Sequence, residues 1–62
     1  MKIYHIYNNI SGKYVGGYPA DTEDAAADAM VREAGYADFV EFCDMLGVSV
    51  DDAKIDLLHI FL

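Results

Sequence analysis

The chain has 62 residues, 55% of them hydrophobic, with eleven acidic and four basic side chains and a formal net charge of −7. A chain this short makes one small domain that buries only about 60% of its unfolded surface, and its apolar content excludes a disordered acidic tail. The charge disfavours direct binding to nucleic acid or anionic membranes and makes basic protein surfaces the natural partners.

The charge is also unevenly spread. Residues 1–20 carry Lys2 and Lys13 and no acid, whereas residues 21–62 hold all eleven acids against Arg32 and Lys54. The C-terminal apolar run LLHIFL falls far short of the roughly 20 residues of a membrane span. The N-terminus lacks signal architecture, so a cytoplasmic location is expected, that of the host cell if a phage encodes the chain. The single cysteine, Cys43, precludes an intrachain disulfide and fits a reducing compartment.

Residues 2–8, KIYHIYN, are β-branched and aromatic, which favours a strand. Alternation puts Ile3, His5 and Tyr7 on one face and Lys2, Tyr4 and Ile6 on the other, without deciding which is buried. Asn8, Asn9, Ser11 and Gly12 make a turn, and KYVGGY returns as the second strand. Gly16–Gly17 suggests a bulge or the close approach of a helix, and Pro19, with no amide hydrogen, is expected to end the ladder.

Residues 21–47 read as two short helices joined at Gly35. Asp21 or Thr22 caps the first, with Glu23 and Asp24 at its positive end. Ala27, Met30, Val31 and Ala34 form its apolar face, the alanines allowing a close approach to the sheet, while Asp24, Asp28 and Arg32 occupy the solvated side. Gly35 is a left-handed stop. Asp38 caps the second helix, whose stripe is Phe39, Phe42, Cys43 and Leu46, and Gly47 ends it.

The last segment is ambiguous. Ser49 to Asp52 resembles a capping box that could open a third helix. Ile55 to Leu62, however, is nearly continuously apolar, which suits a buried strand. The strand reading places it beside the first strand at the sheet centre. The expected fold is therefore α+β: a ββααβ single domain over 1–62, a three-stranded antiparallel sheet with two short helices on one face.

The succession of strand, Asn-Asn/Ser-Gly turn, Gly-Gly-Tyr strand, Ala-rich helix, Ala34-Gly35-Tyr36 and aromatic helix resembles small uncharacterised ββααβ proteins of bacteria, phages and mobile elements. The resemblance covers most of the chain and rests on glycines and aromatics. It implies this element order and a phage or mobile-element setting, and it transfers no functional residue. By size and charge alone, the chain is similar to anti-CRISPR and DNA-mimic anti-restriction inhibitors.

Catalytic readings are weak. Cys43 could pair with His5 or His59, but it lies on an apolar helical stripe, where a thiol stays protonated and behaves as a small hydrophobe. Asp51, Asp52, Asp56 and His59 lack the spacing of a metal site. GKYVGG lacks the pattern of a phosphate loop, and so short a chain leaves no room for an enzyme-sized pocket. Neither an enzyme nor a cofactor is expected. The two histidines could meet across the sheet, although such residues more commonly lie at an edge or bond a tyrosine.

Of the hairpin tyrosines Tyr4, Tyr7, Tyr14 and Tyr18, half are expected to pack under the helices. Exposed ones suit a protein interface better than a single-stranded nucleic-acid platform, given the charge. The partner-binding residues expected are Asp21, Glu23, Asp24, Asp28, Asp38, Glu41 and Asp44. Asp24 and Asp28 differ by about 6 Å of helical rise, and phosphates along a DNA strand by roughly 3.4 Å. These carboxylates could thus imitate nucleic acid before a basic nucleic-acid-binding protein. The alternative is an assembly role, in which the hairpin tyrosines and the C-terminal strand form a homodimer and the acids only keep it soluble.

Overall fold

The computed structural model describes residues 1–62 and contains β1 (Lys2–Asn8), β2 (Tyr14–Ala20), α1 (Glu23–Glu33), α2 (Phe39–Leu46), α3 (Val50–Asp56) and β3 (Leu58–Phe61). The strands form one antiparallel sheet in the order β2-β1-β3. The α+β sheet of the sequence reading is present, with the C-terminal strand beside β1 at the centre. No helix is long and apolar enough to cross a membrane.

The hairpin forms because Asn8 folds the chain onto its own side chain: Oδ1 accepts from the amides of Ile10 at 2.9 Å and Ser11 at 3.1 Å. Ile6 lies opposite Gly16 while Tyr7 lies opposite Tyr14, so Val15 is the extra residue of a bulge. A Cβ on Gly17 would sit 3.2 Å from the Tyr14 hydroxyl and 3.3 Å from Ile3. The close approach expected here is therefore made by side chains and not by a helix. Pro19 does not end the ladder, since Ile3 faces Pro19 and Lys2 faces Ala20. β2 is an edge strand, which tolerates proline where the missing N–H would point away from its neighbour.

α1 begins at Thr22, whose side chain accepts from the Ala25 amide at 3.1 Å. Gly35 adopts a left-handed φ of 100°, and the Tyr36 and Gly35 amides close back onto Val31 and Arg32. α2 is capped by Asp38 and ended by left-handed Gly47, as its sequence leads one to expect.

The end of the chain departs from the expected order. Ser49 caps a third helix, accepting from the Asp52 amide at 3.1 Å, and the strand starts only at Leu58. The element order is ββαααβ, and Ile55, assigned to the strand by its neighbours, is a helical residue left 71% exposed.

The core lies between the sheet and the helices. Tyr4 and Ile6 supply the sheet side with Ala20 and Leu58; Ala26, Ala27, Val31, Phe39, Cys43 and Ala53 cover them. The alanines let α1 lie against β2 and β1. α2 packs chiefly on α1 and α3, so its last turn overhangs. Leu46, expected in the core, is 52% exposed.

Candidate protein-binding surfaces

The two faces of the sheet lead to two surfaces of different chemistry. All eleven acids lie in α1, α2, α3 or the residues joining them to their neighbours, and the strands contribute none. The opposite face of the sheet carries no helix. It presents the Ile3, His5 and Tyr7 side chains of β1 with Tyr14 of β2 and His59 and Phe61 of β3.

On the helical layer, four of the seven carboxylates singled out by sequence have structural work as well. Asp38 accepts from the Glu41 amide at 2.8 Å as the α2 cap. Glu41 in turn accepts from the Ala37 amide just before that helix. Asp28 is half-buried and not on a solvated face: its Oδ1 takes the Phe39 amide at 2.9 Å, joining α1 to the first turn of α2. Asp24 forms an ion pair with Lys54 across α1 and α3. This bond comes first among the influences that push Lys54 above the usual lysine range.

Asp21, Glu23 and Asp44 are exposed and free of such ties. The two cations of the layer are engaged internally, Lys54 with Asp24 and Arg32 with the Ala37 carbonyl at 3.0 Å. Against eleven acids, Arg32, Lys54 and Lys2, which shares the helical side of β1 with Tyr4 and Ile6, leave this layer with a large excess of carboxylates. Between the three helices, Asp24, Asp28, Phe39, Val40, Val50 and Lys54 line a groove of about 240 Å³.

The helix-free face is aromatic. Tyr7 stacks on Phe61 with ring centroids 5.5 Å apart and planes within 8°, and Tyr14 lies 5.0 Å from Tyr7. The Tyr14 hydroxyl is 3.0 Å from His5 Nδ1. The two histidines are diagonal across the strands, His5 opposite Phe61 and His59 opposite Tyr7. Phe61 stands between them, 6.0 Å from His5 and 5.0 Å from His59. Tyr4 and Tyr18 pack on the helical side, which divides the four hairpin tyrosines evenly between the faces.

The Cys–His pairing considered from sequence is not assembled. Cys43 is buried under the helices, and burial, then the Asp44 carboxylate, pushes its thiol above the usual range. Both histidines lie beyond the sheet. Asp51, Asp52 and Asp56 lie on α3, and His59 faces away on β3. An open, mainly apolar groove of about 420 Å³ runs between Val15 and Tyr18 of β2, Met30 and Glu33 of α1, and Phe42 of α2. Burial, and then the neighbouring Glu33 carboxylate, raises the Tyr18 phenol above its ordinary value.

Compared with family models, curated proteins and solved structures, the chain matches none.

The aromatic cluster is the feature that sequence reasoning found only in part. Tyr7 and Tyr14 stand out in the hairpin, but Phe61 and His5 join them only once the antiparallel register of β3 is known. The available signal was parity: residues 3, 5 and 7 and residues 59 and 61 alternate with the apolar positions Tyr4, Ile6, Leu58 and Ile60.

Proposed function

We propose that this protein is a small non-enzymatic protein-binding module, an inhibitor of anti-CRISPR or anti-defence type from a phage or mobile element. Its acidic helical layer occupies a basic surface that would otherwise hold nucleic acid. The observation that carries this reading is the segregation of charge. Every carboxylate sits on one layer, where the acids far outnumber the cations and Lys54 is already paired with Asp24. A one-sided field of this kind attracts a basic surface and accelerates encounter with it. Capping bonds hold Asp38 and the exposed Glu41 in set positions, which lowers the ordering cost of presenting them to a partner. The buried, protonated Cys43 and its separation from both histidines further favour a binding role over nucleophilic chemistry.

The test is competition against duplex DNA for basic nucleases and nucleic-acid-guided effector complexes, followed by fluorescence anisotropy of the labelled DNA. The wild-type chain should displace DNA from its target at low salt and progressively less as salt rises. Asp21→Lys, Glu23→Lys and Asp44→Lys, which disturb no internal bond, should together abolish displacement. Undiminished displacement by the triple variant would rule out the acidic layer as the docking surface.

A further inference from the structure

We infer that the groove between β2 and the helices α1 and α2 is a binding site for a small hydrophobic organic cation, an ammonium group carried on an apolar body. The inference is independent of the acidic-layer reading, because Glu33, the carboxylate it uses, is not among the residues assigned to that surface. At about 420 Å³ the groove lies at the lower end of small-molecule sites, about 300–1,000 Å³.

Its shape follows from where side chains are small or missing. A Cβ on Gly16 would meet the Tyr18 ring at 3.2 Å, so that ring leans back along β2 over its glycine. Ala34, the C-cap of α1, leaves room on the other side. Val31 and Leu58, both buried, close the inner end. Tyr18, Met30 and Phe42 are half-buried along the sides. The Phe42 ring is already fixed, edge-on to Tyr36 at 5.1 Å and stacked on Phe39 at 5.8 Å. Walls set in advance lower the ordering cost of binding.

Charge selects the occupant. Glu33 is the one charged residue lining the groove, and no lysine or arginine joins it. It is the last residue of α1, where the negative end of the helix dipole adds to its charge instead of offsetting it. The neighbouring Tyr18 phenol is pushed above its ordinary value by burial and then by Glu33, so it stays protonated at neutral pH and leaves Glu33 as the site's charge. An anion is repelled by both the carboxylate and the helix end. A neutral apolar ligand strips water from the carboxylate and returns no partner. A second copy brings its own −7. A cation meets the carboxylate, the Tyr18 and Phe42 ring faces and the polarisable Met30 sulfur together.

Titration with benzyltrimethylammonium, followed by amide chemical shifts, tests the inference. Benzyl alcohol and phenylacetate keep the ring while removing or reversing the charge. The ammonium should give saturable shifts at Val15, Met30 and Phe42, the alcohol should bind about tenfold more weakly, and phenylacetate should not bind. Glu33→Gln keeps the side chain's shape and should weaken the ammonium about tenfold. Ala34→Leu fills the groove and should abolish binding. Asp51→Asn removes one charge from α3, which contributes nothing to the groove, and should leave binding unchanged.

Circular dichroism accompanies each variant, and should Ala34→Leu unfold, exposed Glu33→Gln and the three ligands still decide. Equal binding of all three ligands, or undiminished binding by Glu33→Gln, would overturn the inference. So would ammonium shifts confined to the other carboxylates, the mark of a diffuse counterion. Shifts at the groove on dilution of the ligand-free chain would give it to another copy and equally overturn the assignment. Each of these failures leaves displacement of DNA by the acidic layer untouched, since that test does not involve the groove.

Discussion

At the residue scale, Asp28 carries the most consequence for its size. Its Oδ1 satisfies the Phe39 amide, one of the amides at the start of α2 that have no partner within the helix. Replacing it with alanine leaves that half-buried donor without an acceptor, at a cost of about 1–3 kcal/mol. A single core of this size rarely supplies more than about 3–5 kcal/mol, so Asp28→Ala should lower the urea midpoint by a large fraction, on the order of half. Asp28→Asn keeps an amide oxygen in place and should recover much of the loss. Equal destabilisation by both variants would mean that the charge, and not the hydrogen bond, matters. Sequence showed Asp28 as a member of a solvated i, i+4 row, because periodicity within one helix contains no information about the helix packed beside it. Cys43 was the opposite case, since its place on an apolar stripe already pointed to the core. Its buried, raised thiol should resist iodoacetamide at neutral pH in the native chain and react fully in urea. Ready modification of the native protein would show that α2 opens.

At the element scale, α3 and β3 show where one-dimensional patterns fail. Val50, Ala53 and Leu57 turn inward at helical spacing; Leu58 and Ile60 then turn inward at strand spacing. Two periods run together without a glycine or proline between them, and exposed Ile55 extends the apolar run across the boundary. The Ser49 cap was the readable sign of the helix. By contrast, the hairpin, α1 and α2 were legible because each has its own punctuation: the Asn8 turn, the Thr22 and Asp38 caps, and left-handed Gly35 and Gly47.

α3 has only seven residues and one buried side chain, Ala53, so its hold on the rest includes the Lys54–Asp24 pair. That pair raises the Lys54 pKa above its ordinary 10.5. The folded state therefore retains the proton more strongly than the unfolded chain. The resulting stability is fully present below pH 10.5 and is lost as pH climbs through the folded value. Lys54 and Asp24 are 31% and 72% exposed, so solvent limits the contribution to at most about 1 kcal/mol. The Tyr18 phenol, also raised, loses stability in the same direction. Urea titrations below and above this range should show a decline in the wild type and a shallower one in Asp24→Asn. Parallel declines would leave Tyr18 as the source of the whole effect.

At the scale of the whole molecule, the decisive property is the separation of an acidic helical layer from an aromatic sheet face. Sequence revealed the imbalance between residues 1–20 and 21–62, yet not that it divides the molecule by layer. That required knowing that β3, which carries no acid, returns to the sheet beside β1. A layer holding eleven acids against only a few cations repels itself, and the repulsion is largest when counterions are few. Raising ionic strength from about 0.01 to 0.15 M shortens the screening length from roughly 30 to 8 Å, which spans much of a chain whose thinnest extent is 18 Å. The thermal midpoint should therefore rise with salt, even though the single exposed ion pair weakens. Asp44→Lys supplies the contrast. It lies in the last turn of α2, where the helix dipole favours a cation, and it changes the net charge from −7 to −5. The variant should melt higher than the wild type at low salt, with the gap narrowing as salt is added. A midpoint indifferent to salt would mean that the acids are too well solvated to feel one another. They would then also be too well screened to steer a basic partner, so one melting series bears on both the stability of the fold and the charge-driven recognition proposed for it.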